Sequence, residues 1–230
     1  MVDFLLIHGG AHGSWCWERV IPHLQASHHT RTVFANDLAA DAQAAVDKPK
    51  AEITNSDYVE GVIRKIRELG LNDIILVGHS MAGITIPEVC HRLPDRIKRV
   101  VYITTSNPLV GQSIVDLMAH PLSPKSRNVG FDEMFCNDLD EESARWLKSH
   151  LQDDPPLPVR DRVNYCALPD GIPSTYIVCL KDGALPVEYQ REQAANAGAD
   201  EVVELDAGHS AFLSQPVALA ELLLHCAQRE

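Results

Sequence analysis

Residues 74–84 read Ile-Ile-Leu-Val-Gly-His-Ser-Met-Ala-Gly-Ile. The four aliphatic residues from Ile74 to Val77 predict a strand buried on both faces, and a helix is expected to begin just after Ser80. A strand that enters a helix through Gly-x-Ser-x-small must turn sharply, and the turn lifts the serine hydroxyl out of the sheet. Gly78 supplies the small residue two positions before Ser80. Ala82 stands two positions after, where the G-x-S-x-G pattern has glycine, and Gly83 follows. One extra methyl is expected to be tolerated there. Ser80 also opens a helix, where the dipole favours developing negative charge.

Outward from this stretch, short apolar runs alternate with amphipathic ones. Strands are expected at Asp3–Ile7, Thr32–Ala35, Asp73–Val77, Arg99–Thr104, Thr175–Leu180 and Glu201–Leu205. Helices are expected at Trp15–Leu24, from caps at Ser56 and Asp57 through Glu68, at Val187–Ala197 and at Pro216–Gln228. The alternation predicts an α/β fold with a mainly parallel six-stranded sheet and helices on both faces. Residues 107–174 interrupt the rhythm and include the proline-rich stretch Asp153–Asp161. Structureless loops of this length are rare in compact domains, so a small helical cap is expected there. Residues 1–106 and 175–230 then form the core.

Composition narrows the function. The chain has 230 residues, 45% hydrophobic and 23% charged, which excludes disordered and low-complexity classes. A net charge of −12 would repel a phosphate backbone, so no nucleic-acid partner is expected. The apolar runs are too short to cross a bilayer, and the opening MVDFLLIHGG has no basic segment of a signal peptide. The six cysteines form no C-x-x-C pair, and Cys90, Cys179 and Cys226 read as small buried hydrophobes. Reduced thiols and a cytoplasmic protein are expected.

A serine nucleophile needs a base. Of the eleven histidines, His209 lies in Leu-Asp-Ala-Gly-His-Ser, just past the last strand. The chain order serine, acid, histidine puts the base late and favours it. His79 would point away from Ser80 across the turn, and His225 lies inside a helix. His28 and His29 lack a companion at metal-ligand spacing, so no metal is expected. The third member must orient the imidazole. Asp182, in Cys-Leu-Lys-Asp-Gly, follows the penultimate strand and is preferred to Asp206, which sits close enough to His209 for a local turn contact. The loop Thr104–Pro108 has no carboxylate. An oxyanion requires two N–H donors. Met81, after the serine, offers one. Gly10, in His-Gly-Gly-Ala-His-Gly after the first strand, offers the other, with Gly9 or Ala11 as alternatives. This glycine-rich turn fits neither G-x-G-x-x-G nor a P-loop, which excludes a nucleotide site.

Taken together, these segments resemble an α/β-hydrolase, and more narrowly the compact branch with plant methylesterases, hydroxynitrile lyases and small bacterial esterases. HGGAHGSWCW, GHSMAG, FCNDLDEESARWL, LKDGALPVEYQ and LDAGHSAFLSQP carry the resemblance nearly end to end. It implies an eight-stranded fold without its first two strands. The lyases have threonine after the first-strand histidine and lysine after the catalytic one. Here those positions are Gly9 and Ser210, which favours ester hydrolysis by a carboxylesterase. Dehalogenases and epoxide hydrolases carry aspartate where Ser80 stands. The resemblance implies no cofactor. A lyase-like or C–C bond hydrolase and a ligand-binding receptor with a retained triad stand as alternatives. Gly9, Met118, Phe131, Phe135 and Trp146 are the candidate pocket residues, beside a small apolar, uncharged ester as substrate. The oligomeric state is left open, a homodimer included.

Overall fold

The hexapeptides Val2–Ile7 and Ile74–His79 are buried along their whole length. Strands of this kind sit inside a parallel sheet covered on both faces, with a neighbour on each side. The computed structural model describes residues 1–229 and places them so. The strands are β1 (Val2–Ile7), β2 (Thr30–Asn36), β3 (Ile74–His79), β4 (Ile97–Ile103), β5 (Ser174–Cys179) and β6 (Glu201–Leu205). They form one sheet in the order β2-β1-β3-β4-β5-β6, and every pairing is parallel. The chain winds outward from β1 to β2 and then returns to the other side of β1. The carboxyl ends of β1 and β3 therefore flank the point where strand order reverses, where ligand sites form in open α/β sheets.

The helices are α1 (Ile21–Gln25), α2 (Leu38–Val46), α3 (Asn55–Glu68), α4 (Ile86–Arg92), α5 (Ile114–Leu117), α6 (Pro124–Arg127), α7 (Phe131–Phe135), α8 (Glu141–His150), α9 (Val187–Asn196), α10 (Ala211–Ser214) and α11 (Pro216–Gln228). Alternation along the strands sorts them into two layers. Leu5, Ile7, Leu76 and Tyr102 pack with α2, α3 and α4 on one face. Phe4, Leu6, Val77 and Ile103 pack with Trp17, Leu24, Phe212 and α11 on the other. Residues 107–174 hold α5 to α8.

Several boundaries differ from the sequence expectation. Trp15–Leu24 is not one helix but a 3₁₀ turn at Ser14–Trp17 followed by α1. Pro22 explains the break, because it has no N–H to continue a helix from Trp15 and suits only a first turn. The helix expected from Ser56 is capped by Thr54 instead. The Thr54 hydroxyl accepts from Asp57 N–H, and the Asp57 carboxylate accepts from Thr54 N–H. This reciprocal pair contributes about 1 kcal/mol. Asp57 is thus a capping-box partner, not the cap. Helix α2, Leu-Ala-Ala-Asp-Ala-Gln-Ala-Ala-Val, was not expected; its alanines blur the apolar stripe, although Asp37 caps it through Ala40 N–H. β3 runs two residues beyond Val77, to His79. The turn after it starts as a 3₁₀ segment, Ser80–Ile84, before α4 begins at Ile86.

Candidate active site

Ser80 leaves β3 with φ of 52°, in the left-handed region that a residue with a side chain rarely enters. Close packing holds it there. A Cβ on Gly78 would overlap Ile86, and one on Gly83 would overlap the Ser106 carbonyl. Gly83, rather than position 82, is thus where the missing side chain matters on the helical side. Ala82 fits as expected and is fully buried. Ser106 N–H donates to the Ser80 carbonyl at 2.9 Å and ties the turn to the loop after β4.

The structure brings Ser80, His209 and Asp182 together. His209 Nδ1 faces Asp182 Oδ2 at 2.8 Å, and His209 Nε2 faces Ser80 Oγ at 3.1 Å. With Nδ1–H donated to the carboxylate, Nε2 carries the lone pair and accepts from the serine hydroxyl. His209 and Asp182 are buried, while Ser80 is partly exposed. Asp182 Oδ1 accepts Ala184 N–H at 2.7 Å and Leu185 N–H at 2.8 Å, and Oδ2 also accepts the Thr104 hydroxyl at 2.5 Å. Thr104 was missed in the sequence because only acids were sought in that loop. Asp206 is elsewhere: it is exposed and pairs with Lys181 at 2.8 Å.

The loop after β1 lies against this group. A Cβ on Gly9 would stand 2.6 Å from Ser80 Cβ and 2.9 Å from His79 Nδ1. Gly9 is therefore a spacer that lets the two turns touch, not a pocket residue. Ala11 N–H donates to Asp154, so Ala11 is removed as an alternative oxyanion donor. Gly10 N–H has no acceptor among the described residues. The Met81 side chain packs beside Gly10, its sulfur 3.6 Å from the position of a Gly10 Cβ. Met81 N–H is in the first turn of its helix, where N–H groups lack intrahelical partners.

Three further histidines surround the site in neutral form. His8 Nε2 accepts Leu38 N–H at 3.0 Å, so its Nδ1–H donates to the Gly9 carbonyl at 2.7 Å. His12 Nδ1–H donates to the Gly10 carbonyl at 2.6 Å. His79 does not bond to Ser80; its Nε2–H donates to the His209 carbonyl at 2.9 Å. Burial lowers all three pKa values, that of His12 to about 3 and that of His79 well below the ordinary 6.5. Burial also pushes the Asp154 carboxyl above the usual range, opposed by the Ala11 N–H.

Above Ser80 and His209 opens a cavity of about 480 Å³. Ile114, Leu117, Met118, Val129, Met134, Phe135, Leu185 and Tyr189 give it an apolar wall, and Ser106, Ser123, Lys125 and Asn128 add polar edges. Of the candidate pocket residues, Met118 and Phe135 line it. Phe131 and Trp146 do not. Phe131 is partly exposed and packs on Phe135, while Trp146 packs against Trp15 and His150. Sequence alone could not separate cap residues that face the cavity from those that brace its outside. Ser210, expected from the resemblance to separate esterases from lyases, is buried and donates to the Phe135 carbonyl at 2.7 Å. Among the described residues no helix is long and apolar enough to cross a membrane, and no cluster of three or more metal-ligating side chains occurs.

The model of the alpha/beta hydrolase family matches residues 4–222. Methylesterase 7 of Arabidopsis thaliana is 29% identical over 253 residues, covering 98% of this chain and 96% of its own. Salicylic acid-binding protein 2 of Nicotiana tabacum is 28% identical over 257 residues, covering 98% and 97%. Among solved structures, an extracellular alpha/beta-hydrolase from a Paenibacillus species, described as sharing structural and functional homology with the tobacco protein, matches with a TM-score of 0.82 at 25% identity over 100% of both chains. Relatives named as methylesterases support a hydrolase acting on esters. The family match runs through all six strands and through the loops that carry Ser80, Asp182 and His209, and the chain belongs to the alpha/beta hydrolase family.

Proposed function

We propose that this protein is a serine carboxylesterase that cleaves small, mostly apolar, uncharged esters by two-step acyl transfer. The observation that carries the reading is the relay from Ser80 Oγ through His209 to Asp182, at 3.1 and 2.8 Å, on the floor of an apolar cavity. Ser80 Oγ attacks the ester carbonyl while His209 Nε2 takes its proton. The N–H groups of Gly10 and Met81 hold the oxyanion. The protonated His209 then gives its proton to the leaving alcohol. Water, deprotonated by the same imidazole, attacks the acyl-enzyme, and the acid departs with Ser80 restored. The methylesterase relatives point to methyl esters. Gly9 and Ser210 support hydrolysis over lyase chemistry: one leaves no room for a side chain beside Ser80, and the other is a neutral hydroxyl engaged with the Phe135 carbonyl, so it offers no cation to a leaving group.

The test is hydrolysis of p-nitrophenyl acetate, butyrate and octanoate by the wild type beside Ser80→Ala. The expected loss in the variant is about 10⁴-fold or more in kcat/KM. Equal activity in both proteins would overturn the assignment of Ser80.

A further inference from the structure

Two carboxylates of the cap reach back to the loops that carry the chemistry. The Asp154 carboxylate accepts Ala11 N–H, one residue after Gly10. The same cap segment closes a second bond, Gln152 N–H to the Ala11 carbonyl at 2.9 Å. Ala11 has φ of 60°, so this residue with a side chain is held in the left-handed region by bonds on both sides of its peptide. Across the site, the Asp138 carboxylate accepts Gly208 N–H at 2.5 Å, one residue before His209. Its neighbour Asn137 donates to the Lys181 carbonyl at 2.6 Å, one residue before Asp182.

The arrangement is consistent. The loops bearing the oxyanion donor, the base and the acid are each hydrogen-bonded to cap residues, next to the functional residue and not on it. Irregular loops carry few backbone bonds of their own, so an outside hydrogen-bond partner fixes their position. We infer that Asp154 and Asp138 are positioning residues: the cap, besides walling the cavity, sets the placement of Gly10 and His209 relative to Ser80. This rests on the esterase reading of the site.

The experiment compares the second-order rate at which a fluorophosphonate labels Ser80 in the full-length wild type, in Asp154→Ala and Asp138→Ala, and in Asp154→Asn and Asp138→Asn. The probe is small and needs a competent serine, base and oxyanion hole, with little use of the cavity. Both alanine variants should label at least about tenfold more slowly, since misplacements near 1 Å cost up to about 100-fold. The asparagine variants keep an acceptor oxygen and should recover most of that rate. On p-nitrophenyl acetate the alanine variants should lose kcat with little change in KM. In the folded wild type, the Ala11 and Gly208 amides should be protected from hydrogen exchange, a measurement that needs no variant. Alanine variants that are folded and label at the wild-type rate would overturn the inference and leave the esterase reading intact, as would asparagine variants no better than alanine or rapid exchange at both amides. A folded wild type that does not label at all would instead overturn the esterase reading.

Discussion

Thr104 donates its hydroxyl to Asp182 Oδ2 at 2.5 Å, the same oxygen that accepts from His209 Nδ1. Thr104 is fully buried, at φ of 41°, and follows β4, so the fourth strand contributes to the acid through a residue that is not itself acidic. Thr104→Val keeps the shape and removes the donor. A hydrogen bond to a charged group is worth about 1.5–3 kcal/mol. If half or more of that acts on the transition state, kcat should fall about tenfold with KM nearly unchanged. Thr104→Ser should recover most of it. Steady-state kinetics on p-nitrophenyl butyrate give the result, and a valine variant as fast as the wild type would remove Thr104 from the site.

Gly9 is set by contact with Ser80. The Cβ of a Gly9→Ala variant would stand 2.6 Å from Ser80 Cβ and must push the two turns apart. Relieving that overlap by a shift approaching 1 Å at the serine should lower kcat/KM by up to about 100-fold while circular dichroism stays native. Gly130→Ala, where nothing lies within 4 Å of the new Cβ, is the matched control and should be silent.

The cavity wall predicts substrate length. Leu117 lines the cavity of about 480 Å³, whereas Trp146 packs outside it against Trp15. Leu117→Trp should cut activity on the octanoate ester about tenfold or more and spare the acetate, because only the longer acyl chain needs the filled space. Trp146→Phe should lower the melting temperature and leave the octanoate-to-acetate ratio of kcat/KM unchanged. An altered ratio in Trp146→Phe would show that the cap folds differently over the site.

Acid should destabilise the protein through its buried neutral histidines. His12 binds a proton near the ordinary 6.5 when unfolded but only at about 3 when folded. The unfolded chain therefore holds more protons between these values, and stability falls as pH drops through that window. From pH 8 to pH 5 this one residue removes about 2 kcal/mol. His8 and His79 shift in the same direction and add to the slope. Urea midpoints measured across that range should decline toward acid, and His12→Gln should flatten the decline. A midpoint independent of pH would contradict neutral burial of these rings.

Much of the site was legible because a few local rules govern it. An aliphatic run, then glycine and serine, then a helix can be built only as a sharp turn, so Ser80 could be read without its neighbours. Chain order then pointed to Asp182 and His209. Alternating apolar and amphipathic runs gave all six strands of a parallel sheet, although β3 runs past its expected end. The Trp15–Leu24 helix failed at Pro22, a local signal overlooked, and α2 hid behind alanines that leave no stripe. What only the tertiary structure decided are contacts between residues far apart in the chain. Thr104 meets Asp182, Asp154 meets Ala11 and Asp138 meets Gly208 through hydrogen bonds whose partners are separated by about 70 to 143 positions. No periodicity or motif records such a pairing, because it depends on where the sheet's carboxyl ends bring separate loops together. The same holds for the cap aromatics, where packing around the site, and not residue type, put Phe135 inside the cavity and Trp146 outside it.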